Sequence, residues 1–85
     1  MRVIYHKHFQ KQYRNLPDKL QEKFDHCLLL FVQDPFEREL NNHALHGKYA
    51  GCRSIDIAGD LRAIYEISGD SVNFLLIGTH SELYS

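Results

Sequence analysis

The sequence predicts an α+β fold in which a twisted antiparallel sheet packs against a helical hairpin, with the element order β-α-α-β-β-β. A short β-branched run at residues 3–5 is followed by apolar residues at helical spacing, and three β-rich runs separated by turn sequences come later. Because 85 residues can bury a single core, we expect one domain over residues 1–85.

Two amphipathic helices are expected in the N-terminal part of the chain. Phe9, Tyr13 and Leu16 recur at the spacing of one helix face. Pro17 then breaks the pattern, and a second helix begins there and ends at Pro35. Its apolar face keeps a 3.6-residue period and consists of Leu20, Phe24, Cys27, Leu28 and Phe31.

The C-terminal half predicts an antiparallel meander. Residues 36–51 are polar and irregular and are expected to form a loop. Residues 52–58, 61–67 and 71–77 alternate as strands, joined by short Gly-Asp and Ser-Gly-Asp turns. The tail 81–85 is expected to add at most a final turn or a short strand. The sheet face opposite the helices is expected to stay open for a ligand or a partner.

Composition narrows the class of protein. With 44% hydrophobic and 25% charged residues, the chain is typical of a globular protein. No apolar run is long enough for a signal peptide or a membrane span, so a cytoplasmic protein is expected. Cys27 and Cys52 offer neither a disulfide framework nor a paired metal or redox motif, and we interpret them as buried or half-buried thiols.

The charge is unevenly distributed. The formal net charge is −1, yet six basic and two acidic residues lie within residues 1–24, while the rest of the chain is net acidic. A basic end of this kind can face phosphate groups, or it can simply solvate a helix surface.

The C-terminal half resembles the RelE/ParE toxin superfamily. The segment Leu45-His46-Gly47 leads into an arginine-headed strand at Arg53, and after a tight turn the next strand carries the pattern Arg62-x-x-Tyr65. The ending Gly78-Thr79-His80, with Tyr84 four residues after the histidine, is similar to that of the YafQ-like branch.

This resemblance implies a RelE-like fold and a toxin of a type II toxin-antitoxin system. The implied activity is that of a ribosome-dependent endoribonuclease that cleaves messenger RNA in the cytoplasm without metal or cofactor. The implied partners are a cognate antitoxin, the ribosome and mRNA, with a toxin that is monomeric when free and hetero-oligomeric with its antitoxin. A ParE-like toxin that inhibits DNA gyrase without cleaving RNA, and an inactive member that only binds an antitoxin, are the alternatives.

RNA cleavage without metal requires a base, an acid and a cation near the phosphate. His80 matches the histidine of the YafQ ending, and imidazole exchanges a proton near neutral pH. His43 matches the histidine of a YafQ-like His-x-Leu-x-Gly segment. His43 and His46 could suggest a metal pair, but no third ligand with recognisable spacing follows, so we discount a metal site.

Two carboxylates are further catalytic candidates. Asp60 matches an aspartate of the YafQ pattern and could orient a histidine or act as the base, although a Gly-Asp pair is also ordinary turn chemistry. Asp56 stands where the YafQ branch carries another histidine, so a carboxylate would replace an imidazole there.

Arg62 matches the strand arginine of RelE-type toxins and is our candidate for stabilising the transition-state charge. Arg53 is predicted either to bind substrate phosphate or to pair with Asp56 or Asp60. Leu76 replaces an arginine that YafQ-like toxins carry, which implies lower activity or compensation by Arg53.

The remaining candidates are binding residues. Tyr84 is expected to stack on a base, and Arg53, His46 and Lys48 are further expected substrate contacts. Three basic residues of the hairpin are expected to bind ribosomal RNA: Lys11, Arg14 and Lys23. Packing, capping or solvated roles are expected for Tyr49, Tyr65, His6, His8 and His26.

Overall fold

The computed structural model describes residues 1–84. Its strands are β1 (Arg2–Tyr5), β2 (His43–Ala44), β3 (Arg53–Ala58), β4 (Leu61–Ser68) and β5 (Ser71–Thr79). Its α-helices are α1 (Lys7–Arg14), α2 (Asp18–Gln33) and α3 (His80–Tyr84). Two 3₁₀ helices lie at Arg38–Leu40 and Gly47–Tyr49.

The α+β architecture is confirmed, with one sheet in the order β1-β5-β4-β3-β2. The expectation of a purely antiparallel sheet is wrong for β1, which pairs parallel to β5 with Arg2 opposite Ser71. Parallel pairing needs a long crossover between the two strands. Here the helices and the meander together provide it, because an even number of strand reversals brings β5 back beside β1 in the same direction.

The helices cover one face of the sheet. Residues at alternate positions of β3 and β4, including Ile55, Ala63 and Tyr65, are at most 1% exposed and join the core beneath the helices. Phe74 lies at the centre of an aromatic cluster, with ring centroids 5.4 to 6.0 Å away for Phe24, Phe31, Phe9, Tyr65 and Tyr5. This packing fixes which side of each strand faces away from the helices.

The segment 36–51, expected to be a loop, contains the two 3₁₀ helices and β2. Leu40 is fully buried and anchors the first 3₁₀ helix, and Asn41 follows it with a left-handed φ of +47°. His43 and Ala44 then pair with Ser54 and Arg53 as a two-residue edge strand. Elements this short carry no readable periodicity, and contacts with β3 decide their shape.

The C-terminal tail forms a helix, α3, which extends the expected final turn, while Ser85 lies outside the described residues. α3 folds over the sheet face opposite the main helices. A Cβ atom added at Gly78 on that face would meet Glu82 Oε1 at 3.2 Å and Leu83 Cδ2 at 3.3 Å, which places these two residues of α3 over it. Leu83 is 2% exposed and Ile64, which points to the same side, is fully buried. The expectation that this sheet face stays open is therefore wrong where α3 covers it.

Several smaller expectations concern thiols, caps and tyrosines. Cys27 is buried and Cys52 half-buried, as expected, and burial raises the pKa of both thiols. The His6 side chain caps α1 by accepting a hydrogen bond from the His8 amide at 3.1 Å. Tyr65 is 1% exposed and belongs to the core, which agrees with a packing role. No helix within residues 1–84 has the length and apolar character needed to cross a membrane.

Candidate functional site

The sheet face that turns away from α1 and α2 brings together several of the candidate residues. Asp56 pairs with Arg62 across β3 and β4, and Arg62 pairs with Gly78 across β4 and β5. Directly paired residues share a face of the sheet, as do residues two apart in a strand. His43 pairs with Ser54 and so belongs to the face of Asp56. Because α3 packs over Gly78, it lies on this same face.

Arg62 and Asp56 form the charged centre of this face. Arg62 Nε lies 3.0 Å from Asp56 Oδ1, and Arg62 Nη1 donates to the Gly59 carbonyl at 2.7 Å. Asn41 Nδ2 donates to Asp56 Oδ2 at 3.2 Å. Asp56 Oδ2 therefore has a hydrogen bond, whereas Oδ1 is buried and has the ion pair with Arg62 without a hydrogen bond. Within residues 1–84, the contacts of the guanidinium use the Nε and Nη1 groups, and the Nη2 group makes no hydrogen bond.

The prediction that Arg53 pairs with Asp56 or Asp60 is wrong. Arg53 pairs with Tyr65, which faces the helices, so the Arg53 side chain lies on the side opposite Arg62. Its Nε donates to Asn42 Oδ1 at 2.8 Å, and its guanidinium lies 5.2 Å from the centre of the Phe36 ring. Arg53 is therefore badly placed to compensate for Leu76, which pairs with Ile64 on the face of Arg62.

His80 and Tyr84 lie one turn apart on α3. The centroids of their rings are 4.7 Å apart. Tyr84 is 38% exposed, so a nucleic acid base could stack on its ring. Burial raises the pKa of Tyr84 and the charge of Tyr49 adds to that rise, whereas the positive charge of Arg62 opposes it. α3 packs over Gly78, which is the β5 partner of Arg62.

Asp60 and His43 stand in different places relative to His80. Asp60 directly precedes Leu61, whose partner Thr79 directly precedes His80, so Asp60 and His80 lie at the same end of adjacent strands. His43 lies on β2, three strands from β5, which corresponds to about 14 Å across the sheet. The two histidines lie on the same face of the sheet but on different elements, His43 on β2 and His80 on α3.

The protonation pattern of His43 is set by its neighbour. His43 Nδ1 lies 2.8 Å from the Asn41 carbonyl oxygen. A carbonyl can only accept, so Nδ1 carries the proton and the neutral ring presents an unprotonated Nε2 to solvent. Asn41 thus contacts both His43 and Asp56 and joins the edge strand to the charged centre.

The predicted binding residues lie at two separate places, the second 3₁₀ helix and the helical hairpin. His46 and Lys48 are exposed at the second 3₁₀ helix, and Lys48 Nζ lies 5.3 Å from the centre of the Tyr49 ring. Lys11, Arg14 and Lys23 are exposed on the hairpin. Within α1, Gln12 Oε1 accepts a hydrogen bond from the Ile77 amide at 2.9 Å, so this helix lies against β5.

A metal ion has no evident set of ligands here. Within the described part of the chain, no three His, Cys, Asp or Glu side chains gather closely enough to hold one. His43 and His46 are both exposed in the segment before β3. Within residues 1–84, the histidine that pairs with a carboxylate is His26 on α2, with Nε2 3.5 Å from Glu39 Oε2.

Sequence reasoning missed the residues that hold α3 in place. Thr79 and Glu82 form a capping box: the Thr79 amide donates to Glu82 Oε1 at 2.7 Å, and the Glu82 amide donates to Thr79 Oγ1 at 3.3 Å. The pattern Thr-x-x-Glu at residues 79–82 is the signal that could have revealed them. Asn41 and Tyr49 carry no comparable signal, because their contacts are with residues distant in sequence.

The capping box makes the stability of α3 sensitive to acid. Hydrogen bonds from the Thr79 amide and hydroxyl hold the pKa of Glu82 below its ordinary value of 4.5. A lowered folded-state pKa gives a contribution that is complete above the unfolded pKa and is lost as the pH falls through the folded pKa. We therefore expect Glu82→Gln to reduce the unfolding free energy at neutral pH and to weaken its dependence on pH below 4.5.

Urea unfolding of the wild type and of Glu82→Gln at about pH 7 and about pH 3.5 would measure this difference. Glu37→Gln is the matched control for a carboxylate distant from α3, since Glu37 caps the first 3₁₀ helix. An equal loss of stability in wild type and Glu82→Gln over that pH interval would contradict the prediction.

The chain is similar to several known proteins. A family model described as a bacterial toxin of type II toxin-antitoxin system, YafQ, matches residues 1–85. The crystal structure of YafQ from E. coli strain BL21(DE3) is 20% identical, with 100% of both chains covered and a TM-score of 0.85. No curated protein sequence matches the chain significantly.

Two further structures have the same fold. The E. coli DinJ-YafQ toxin-antitoxin complex matches at 20% identity over 98% of this chain and 96% of that one, with a TM-score of 0.81. A YoeB/ParE toxin from Agrobacterium tumefaciens matches at 20% identity over 94% and 99%, with a TM-score of 0.80. At these identities the likeness shows the fold alone, and the family model shows the family.

Proposed function

Because the chain belongs to the YafQ family of toxins of type II toxin-antitoxin systems, we propose that it is an endoribonuclease that cleaves messenger RNA on the ribosome. Residues 1–85 would form the single toxin domain, acting in the cytoplasm, where ribosomes and mRNA are present. The observation that supports the proposal most is the shared sheet face, where Arg62 and Asp56 form an ion pair and α3, which carries His80 and Tyr84, packs over Gly78, the β5 partner of Arg62.

The proposed chemistry is attack of a 2'-hydroxyl on the adjacent phosphate. His80, exposed at the start of α3, would protonate the 5'-oxygen that leaves. Asp60, at the same end of the neighbouring strand, would accept the proton of the 2'-hydroxyl. Because DNA lacks that hydroxyl, RNA is the proposed substrate.

Arg62 would stabilise the charge of the pentacovalent phosphate. Its Nη2 group would contact the phosphate first, while Asp56 orients the guanidinium through Nε. Asp56 therefore has a positioning role in this scheme, since both of its oxygens are already engaged. With Leu76 in place of a second arginine, Arg62 supplies most of the positive charge on this face.

Substrate would extend from α3 toward β2. Tyr84 would stack on a base beside the cleaved linkage, and His43, with Nε2 free to accept, would contact the RNA further along the face. His46 and Lys48 would contact the RNA from the rim. Arg53 is left out of this scheme, because it lies on the opposite side of the sheet.

Inducing the chain and its His80→Ala variant in bacteria and mapping mRNA 5' ends tests the proposed activity. We expect new ends within translated regions for the wild type and none for the variant. Growth arrest with intact transcripts in both would overturn the nuclease proposal and favour a ParE-like action on DNA gyrase. Absence of growth arrest in both, with the antitoxin still bound, would indicate an inactive member.

The basic hairpin is proposed to hold ribosomal RNA. Each phosphate contact by a lysine or arginine contributes to a salt-dependent affinity. Reversing Lys11, Arg14 and Lys23 to glutamate should therefore abolish cosedimentation with ribosomes at physiological salt, while circular dichroism stays unchanged. Reversal of Lys19, exposed at the start of α2, is the single-charge comparison. Full binding by the triple variant would contradict the assignment.

A cognate antitoxin is the proposed inhibitory partner. The E. coli YafQ structure in complex with DinJ shows that a protein of this fold forms such a pair. By analogy, the free toxin would be monomeric and would enter a hetero-oligomer with its antitoxin. Copurification of this chain with the product of a neighbouring reading frame would test the partnership directly.

A further inference from the structure

The short helix α3 cannot fix its own position. It has five residues, and isolated helices shorter than about 12 residues are marginal in water. Its place on the sheet must therefore come from tertiary contacts. At the N-terminal end of α3 these contacts are the Thr79 and Glu82 capping box. One residue before its last, the side chain of Leu83 is buried against the sheet.

Tyr49 holds the C-terminal end of α3. The Tyr49 hydroxyl donates to the Leu83 carbonyl at 2.7 Å. The last carbonyls of a helix have no partner within the helix, so this bond fills an open acceptor. The Tyr49 ring also meets the Tyr84 ring edge to face, with centroids 5.4 Å apart at 83°. The Tyr84 ring in turn lies 4.7 Å from His80.

Tyr49 is itself fixed to the sheet. Its carbonyl accepts a hydrogen bond from the Cys52 amide at 2.9 Å, and the Cys52 carbonyl accepts one from the Leu45 amide at 3.0 Å. Cys52 immediately precedes β3, the strand that carries Asp56. The tyrosine thus connects the strand that orients Arg62 with the helix that carries His80.

We propose that Tyr49 is a positioning residue that clamps α3, so that His80 and Tyr84 lie over the sheet face that carries Arg62. This inference rests on the proposed ribonuclease activity, because the position of His80 matters for catalysis only if His80 transfers a proton. Tyr49 itself takes no part in the chemistry: its hydroxyl is committed to Leu83 and its ring to Tyr84.

Two substitutions separate the parts of the clamp. Tyr49→Phe removes the hydrogen bond and keeps the ring, and Tyr49→Ala removes both. Tyr65→Phe is the matched control, because the Tyr65 hydroxyl also makes one hydrogen bond, accepted from Asn42 Nδ2 at 2.6 Å, but it lies beneath the main helices. A purely structural role for Tyr49 would make the Tyr49 and Tyr65 variants behave alike.

Nuclear magnetic resonance tests the clamp independently of any activity. The His80 ring resonances sense the aromatic ring of Tyr84, and a five-residue helix that loses its contact with Tyr49 is expected to unwind. Loss of the clamp should therefore separate the two rings and move the His80 resonances toward the positions of a free imidazole. We expect a partial shift in Tyr49→Phe, a larger one in Tyr49→Ala and none in Tyr65→Phe. Unchanged His80 resonances in both Tyr49 variants would overturn the proposal.

Single-turnover cleavage on programmed ribosomes tests the consequence for catalysis. We expect the rate at saturating toxin to fall about tenfold in Tyr49→Phe and about 100-fold in Tyr49→Ala. The half-saturating concentration should stay constant, because the basic hairpin is untouched. Wild-type rates in both variants would overturn the positioning role. If the wild type itself leaves mRNA intact, the ribonuclease proposal fails, and the resonances alone decide whether Tyr49 clamps α3.

Discussion

Replacement of His80 by alanine is expected to reduce the single-turnover rate of mRNA cleavage by about 10² to 10⁴-fold. His80 is the imidazole at the first position of α3, beside Tyr84 and at the same end of the sheet as Asp60. Without it the leaving 5'-oxygen must depart as an alkoxide or take its proton from water. The fall should appear at saturating toxin, which excludes an effect on ribosome binding.

His26→Ala is the matched control for this prediction. His26 is exposed on α2 and pairs with Glu39, outside the candidate site, so its loss should leave the single-turnover rate unchanged. A fully active His80→Ala variant would remove the histidine from the mechanism.

Replacement of Arg62 by glutamine is expected to lower the same rate by about 10² to 10³-fold. Glutamine retains hydrogen-bonding capacity but loses the positive charge, and Leu76 provides no second cation on that face. The substitution also leaves the Asp56 carboxylate without its ion pair, which should cost about 1–3 kcal/mol of unfolding free energy. Urea unfolding must therefore accompany the kinetics.

Two variants separate charge from stability in the Arg62 experiment. Arg62→Gln combined with Asp56→Asn removes the unpaired carboxylate, so it should recover stability without recovering cleavage. Arg38→Gln, an exposed arginine in the first 3₁₀ helix, should change neither quantity. Recovery of cleavage in the double variant would show that the carboxylate, and not the lost cation, caused the defect.

Asp56→Asn alone distinguishes the positioning role of Asp56 from a role in proton transfer. Asparagine keeps an oxygen that can face Arg62 Nε at the same place, so a positioning role predicts only a modest loss of rate with an unchanged pH profile. A loss as large as that of His80→Ala would instead assign Asp56 to acid or base chemistry.

The sequence by itself determined the elements whose signals are local. The periodic face of Phe24 and Phe31 and the break at Pro17 predicted the hairpin, because a helix repeats every 3.6 residues and proline cannot continue it. Alternation around Ile55 and Ile57 predicted β3 in the same way. The same alternation also indicates where Arg53 lies: on the face of Ile55 and Ile57, since residues two apart in a strand share a face.

Only the tertiary structure decided how these elements meet. The parallel pairing of β1 with β5, the edge strand at His43 and the hydrogen bond from Tyr49 to α3 all join residues distant in the chain. Such contacts form because burial of surfaces such as Leu83 outweighs the local preferences of short segments, and no local pattern records them. The contact of the Tyr49 hydroxyl with the Leu83 carbonyl exists only at that level, and it is the basis of our proposal that Tyr49 positions His80.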